Sequence, residues 1–209
     1  MSTFHTGAKA AGESLKLTQL PASARHPVEQ LLAHRRSVRE FADRALSLEE
    51  LGRLLWAAQG VTDAAGLRTA PSAGALYPLE LVIAAGQVEG LQPGIYRYQP
   101  RTHGLRGMAQ GDARARLAGA ALGQSWLADA AAMLVFAAVL ERTARKYGRR
   151  AFQYICIEVG HAAQNVYLEA QSLGLGTVMV GAFDDGQVQR VLGLAEEETP
   201  LALMPLGRR

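Results

Sequence analysis

Apolar residues first fall at helical spacing in HPVEQLLAHRR, where Val28, Leu31 and Leu32 share a face and Pro27 suits the opening turn. The pattern predicts a helix that ends at the arginines following it. A second stripe, Leu48, Leu51, Leu54 and Leu55, runs through SLEELGRLLWAAQG; Ser47 and Glu50 form a capping-box pattern before it, and Gly60 is its stop. LELVIAAG (79–86) and GIYRYQP (94–100) read as strands, and HGLRGMA is suited to pair with the second across a Pro/Gly turn. DARARLAGAALG is helical, and AAMLVFAAV (131–139) is a buried-strand run.

Residues 150–173 form the longest helical segment, apolar on nearly every side through Phe152, Ile155, Ile157, Val159, Ala162, Val166 and Leu173. A helix without a wet face belongs in a core or an interface. GTVMVGAF (176–183) and PLALMPLG (200–207) predict strands, separated by a helix over 185–192 with Asp184 as N-cap and Gly193 just past its end. Helices come in blocks and strands in short groups, without a repeat, which indicates an α+β domain over residues 26–209. Residues 1–25 lack periodicity and read as an N-terminal arm.

Charge changes this picture little. The chain has 22 basic and 19 acidic residues and a net charge of +3, too small an excess to indicate a nucleic-acid-binding surface. Its one cysteine, Cys156, rules out an intramolecular disulfide and a cysteine zinc cluster, and in FQYICIEVG it reads as a small buried hydrophobe. No apolar stretch reaches the roughly 20 residues that span a bilayer, and the first residues have no signal-peptide core. A cytoplasmic protein without a membrane partner is expected.

Candidate chemistry is concentrated in a few stretches. HRRSVREF packs Arg35, Arg36 and Arg39 around Ser37, and the chain closes on Arg208 and Arg209. Arginine forks of this kind suit a phosphate bidentately; a solvated charge run is the alternative. There is no Walker sequence and no glycine fingerprint after a strand. In RTAPSAGALYPLEL, Pro71, Gly74 and Pro78 fix the backbone while Ser72, Ala73 and Ala75 are small, which lets a planar ligand approach the main chain. RKYGRR sets Lys146 beside Tyr147, where a cation favours the phenolate and makes a general base, against the alternative of an exposed basic turn. Glu158, His161 and Asn165 lie at i, i+3 and i+7; a single Glu-x-x-His pair is half of a di-iron ligand set, so internal hydrogen bonding is expected and no metal site is assigned.

Together RRSVREF, PSAGALYPLEL, GIYRY, KYGRRAFQYICIEVGHAAQN, GLGTVMVGAFDD and PLALMPLGRR resemble, in order, the FMN-dependent nitroreductase superfamily and within it the SagB-type dehydrogenases. The resemblance runs from about Val28 to the C-terminus. It implies a three-layer α+β sandwich, with an antiparallel-rich sheet between helices and a long buried central helix. It further implies a homodimer with two FMN sites at the interface. By position, Arg35, Arg36, Ser37 and Arg39, with Arg208 and Arg209, would serve the flavin phosphate, ribityl chain and pyrimidine edge. Pro71, Ser72, Ala73, Gly74, Ala75 and Leu76 would line the isoalloxazine, and Val180 and Gly181 would present backbone near its N5 edge. Lys146 and Tyr147 match a catalytic pair of azoline dehydrogenases, which act on modified peptides beside a cyclodehydratase. Ala75 and Tyr77 stand where nitroreductases often carry Asn and Gln. The alternatives are an NAD(P)H-dependent reductase of nitro compounds or quinones, and a non-catalytic anion- or nucleic-acid-binding protein.

Overall fold

A computed structural model describes Pro21 and residues 26–209; apart from Pro21, the expected N-terminal arm lies outside the described residues. Six strands form one sheet in the order β3-β2-β1-β4-β6-β5, with antiparallel neighbours throughout. They are β1 (Leu79–Ala85), β2 (Gly94–Gln99), β3 (Gly104–Gln110), β4 (Ala132–Val139), β5 (Leu175–Thr177) and β6 (Glu198–Arg208). The helices are α1 (Pro27–His34), α2 (Leu48–Gln59), α3 (Arg114–Ala120), α4 (Leu140–Tyr147), α5 (Ala151–Ser172) and α6 (Asp185–Leu192).

Strand alternation builds the layers. β4 is buried on both sides, and its successive residues go to different cores. Leu134 and Phe136 face α2 and α5 together with Leu81 and Ile83. Met133 and Val135 face α3 and α6 together with Val82 and Leu203. A sheet covered on both faces by helices is the expected three-layer sandwich.

Local signals explain most helix ends. Ser47 accepts the Glu50 N–H, and Glu50 returns its carboxylate to the Ser47 N–H. Gly60 stops α2 for an unexpected reason: its backbone is extended, and a Cβ there would lie 2.2 Å from the Trp56 ring. Asp184 caps α6 through the Gln187 N–H, and Gly193 takes the left-handed conformation.

Three expectations are corrected. The strand predicted over 176–183 keeps its ladder only to Thr177; Val180 forms an isolated bridge to Leu203, and the Met179 N–H goes instead to the Tyr167 hydroxyl. The basic turn around Lys146 is the end of a helix, α4. Helix α5 has one apolar face turned outward, carrying Phe152 (56% exposed) and Ile157 (47% exposed). Cys156, expected to be buried, is exposed beside that face, because helical spacing turns it about 100° away from the inward row of Ile155, Val159 and Ala162.

Candidate functional site

Two clusters of predicted residues form at opposite parts of α5. Around Tyr167, the arginine segment crosses the strand pair β5–β6. Gly176 and Gly207 are register partners there, and Cβ atoms on them would come within 2.6 Å of Val38 and 2.8 Å of Phe41. The glycines thus open a trough that seats Val38 and Phe41. Backbone bonds from the Val38 N–H to the Thr177 carbonyl and from the Ala42 N–H to the Arg208 carbonyl pin the segment. Ser37 is left outward 3.4 Å from the Tyr167 hydroxyl, and the Arg35 guanidinium lies 5.0 Å from the Tyr167 ring centroid.

The arginines divide by what they already hold. Arg36 folds back on the Ala33 and Arg35 carbonyls at the end of α1. Arg208 is paired with Glu50 at 2.8 Å, and Arg209 donates to the Leu175 carbonyl and the Gln171 side chain. The guanidinium groups of Arg35 and Arg39 make no hydrogen bond or ion pair among the described residues. Those two keep their full donor sets for an anion. Val180 exchanges both backbone bonds with Leu203, which leaves Gly181 as the exposed member of that pair.

The second cluster surrounds the small-residue turn before β1. Gly74 has φ +64°, and the non-glycine residues Ala75 and Tyr77 also sit at positive φ, +54° and +46°. The two non-glycine positions cost on the order of 1–3 kcal/mol each and persist only where surroundings enforce them. Outside the turn, a Cβ on Gly74 would lie 2.8 Å from the Tyr147 hydroxyl and 2.9 Å from Lys146 Nζ. The amine–phenol pair predicted on one element and the turn predicted on another are therefore in contact, and glycine is what permits it. Tyr154 supports Tyr147 in an edge-on ring contact at 5.0 Å.

Inside the turn, polar side chains form a ring that composition alone did not reveal. The Tyr77 N–H donates to the Ser72 hydroxyl, the Tyr77 hydroxyl accepts the Arg68 N–H, and the Arg68 guanidinium stacks 4.4 Å over the Tyr77 ring. Arg68 also donates to the Gln59 side-chain oxygen at 2.9 Å, and Gln59 donates to Glu158 at 3.4 Å. Glu158 is 2% exposed and interacts with the Ser72 hydroxyl. Burial pushes its carboxyl above the ordinary range, against the pull of Ser72, Gln59 and Arg68. Burial likewise lowers the Arg68 guanidinium, opposed chiefly by Glu158. Asn165 fastens the same region by donating to the Ala57 carbonyl. Of the three polar residues noted on this helix, Glu158 and Asn165 turn inward and His161 is exposed. Gln59, Arg68 and Tyr167 escaped the residue-by-residue reading, whereas Glu158 and Asn165, seven apart on an otherwise apolar helix, were expected to hydrogen-bond internally and do so.

Two cavities flank this turn. One, of about 280 Å³, meets Pro71–Ala73, Tyr154, Ile157 and Glu158; the other, of about 300 Å³, meets Ala75, Tyr77, Arg68 and Arg101. A larger hollow of about 510 Å³ lies away from them, between α2 and the β2–β3 hairpin, and is walled mainly by leucines.

A six-stranded antiparallel sheet covered by helices on both faces, with one long helix packed along it, is a nitroreductase-like fold. The chain belongs to the Nitroreductase family, whose profile matches residues 32–208. It is 47% identical over 198 residues to the Methanocaldococcus jannaschii protein MJ1384, which carries a nitroreductase name, covering 95% of this chain and 98% of that one. It is 28% identical over 175 residues to the Escherichia coli microcin B17-processing protein McbC, covering 80% of this chain and 64% of McbC. A crystal structure of a protein named as a nitroreductase from Anabaena variabilis superposes with a TM-score of 0.77 at 33% identity. That match covers 87% of this chain but spans only 38% of the other.

Proposed function

We propose that this protein is an FMN-dependent dehydrogenase of the SagB type that oxidises azoline rings in modified peptides. The supporting observation is the seat of Lys146 Nζ and the Tyr147 hydroxyl directly against Gly74, in the turn expected to line the flavin. Similarity to a microcin-processing protein favours a modified-peptide substrate.

The residues present fit FMN. Arg35 and Arg39 offer uncommitted guanidinium donors for its phosphate, and Ser37 stands between them in sequence with its hydroxyl outward. Arg36, Arg208 and Arg209, already bound within the chain, shape this site more than they fill it. FMN, when bound, supplies the two-electron redox chemistry. The turn 71–76 presents backbone and small side chains to the ring, and Gly181 presents exposed backbone at the other cluster. Oxidation removes two hydrogens from adjacent ring atoms, one as a proton and one as a hydride, and leaves a ring double bond. The Tyr147 oxygen takes the proton, and the Lys146 ammonium balances the phenolate charge. In this reading a second copy completes each site, its apolar α5 face joining the two chains. A cyclodehydratase would supply the azoline.

The high identity to a protein bearing a nitroreductase name supports a second reading, an NAD(P)H-dependent reductase of nitro compounds or quinones. Product masses separate the two. FMN-loaded protein is incubated in air with an azoline peptide, and separately with NADPH and a nitroarene. Loss of two mass units from the peptide is expected. Tyr147→Phe should keep FMN but lose turnover by roughly 10²–10⁴-fold, the contribution of a general base. Wild-type azole formation in that variant, or nitroarene reduction with an untouched peptide, defeats the azoline reading.

A further inference from the structure

We infer that Glu158 is the positioning residue that holds the strained turn 72–77 in place, and through it the contact between Gly74 and the Lys146–Tyr147 pair. Three features that the proposed reaction leaves unused converge on this side chain. It is a carboxylate buried to 2% exposure in the middle of a largely apolar helix. It is the acidic member of the Glu–x–x–His pair on α5, whose histidine is exposed while the glutamate is buried. It also stands under a segment in which Gly74, Ala75 and Tyr77 all take positive φ.

The connection is direct. Ser72 accepts the Tyr77 N–H at 3.0 Å and lines the same cavity as Glu158, its hydroxyl drawing the Glu158 carboxyl down. That bond closes the turn from Ser72 to Tyr77. Glu158 also takes the Gln59 amide, whose oxygen holds the Arg68 guanidinium flat on the Tyr77 ring. One carboxylate thus orients both ends of the turn, one through a hydroxyl and the other through an amide and a guanidinium. A neutral amide in its place can satisfy some of these partners but cannot balance the Arg68 charge.

The surrounding groups make the carboxylate's charge matter. Arg68 faces it from the loop before the turn, Glu80 and Arg142 act on Arg68 from β1 and α4, and Tyr154 and His161 share the adjoining cavity from α5. Burial raises the Glu158 carboxyl, so its proton is taken up at a higher pH than for an exposed glutamate.

The importance of the turn for catalysis rests on the flavin reading, but its support by Glu158 is tested without ligand. Amide hydrogen exchange is followed at Tyr77 and, as a core reference, at Val135 in β4, in wild type and in Glu158→Gln. Exchange at Tyr77, corrected for intrinsic rate, should rise roughly tenfold or more, the size expected when a hydrogen bond to a charged group is lost. Val135 should be unchanged. Gln59→Ala, which removes the amide between Glu158 and Arg68, should raise exchange at Tyr77 in the same way, and it decides the matter if Glu158→Gln does not fold. Unchanged Tyr77 protection, or loss shared equally with Val135, overturns the inference. FMN titration of the wild type is a separate arm: failure to bind refutes the flavin reading and leaves the exchange result standing.

Discussion

Arg35 and Arg36 are neighbours with the same charge and different assignments. Arg35 stacks on Tyr167 with every guanidinium donor unused, whereas Arg36 is spent on carbonyls at the end of α1. The expected consequence is unequal. Arg35→Ala should weaken FMN binding by about 1.5–3 kcal/mol, the contribution of a charge-assisted hydrogen bond. Arg36→Ala should change it by much less. Fluorescence titration of FMN against both variants checks this, and equal losses would show that the phosphate does not distinguish them. At this scale the sequence pointed to an arginine cluster but could not say which of its side chains are already committed. Three arginines in HRRSVREF are equivalent as letters; only Val38 and Phe41, seated over Gly176 and Gly207, determine which side chains are left outward. The pairing of Arg208 with Glu50, across 158 positions, has no local signal at all.

Among the elements, periodicity and capping located α2, α5, α6 and most strands within a residue or two. It failed where tertiary partners outbid local pattern. The run 176–183 is as apolar and β-branched as a strand, yet it leaves the ladder after Thr177, where the Tyr167 hydroxyl takes the Met179 N–H, and it touches β6 again only through Val180 and Leu203. Helix α4 was hidden by its charge. Its Arg142 pairs with Glu80 of β1 at 2.6 Å, and Glu80 in turn meets Arg97, which is bidentate to Glu198. This cluster clamps β1, β2 and β6 and gives a pH prediction. The hydrogen bonds from Arg97 hold the Glu198 carboxyl below its ordinary value of 4.5, more than burial raises it. Its stabilisation is therefore full above that value and is lost as pH falls through the lowered one. Glu198→Gln, which leaves Glu80 as the remaining carboxylate on Arg97, should cost about 1.5–3 kcal/mol at pH 7, the worth of a hydrogen bond to a charged group. The gap between variant and wild type, followed by denaturant unfolding, should narrow below pH 4.5. A gap independent of pH would mean that the pair contributes nothing through its charge.

For the whole molecule, the three layers were legible because β4 and α5 are so strongly apolar, but the outward face of α5 was not. Sequence alone made this helix hydrophobic all round; the structure separates an inward row from an outward patch of Phe152, Cys156 and Ile157. Such a patch is commonly covered by another protein surface, and a second copy is the proposed cover. Phe152→Asp together with Ile157→Asp should give a monomer in sedimentation at low micromolar concentration, with loss of bound FMN. A double variant that stays dimeric and yellow would place the interface elsewhere.

The position of β6 also bears on how the chain matures. Residues 198–208 come after every other strand in sequence, yet they lie inside the sheet, between β4 and β5. Strands β3, β2, β1 and β4 can assemble in order as they leave the ribosome, but β5 has no neighbour until β6 has emerged. During that interval β4, one of the most apolar strands, presents an open edge of unpaired N–H and C=O groups. The nascent protein thus passes through a sticky stage that lasts until β6 is delivered, and a chaperone that shields strand edges would help it most in that interval.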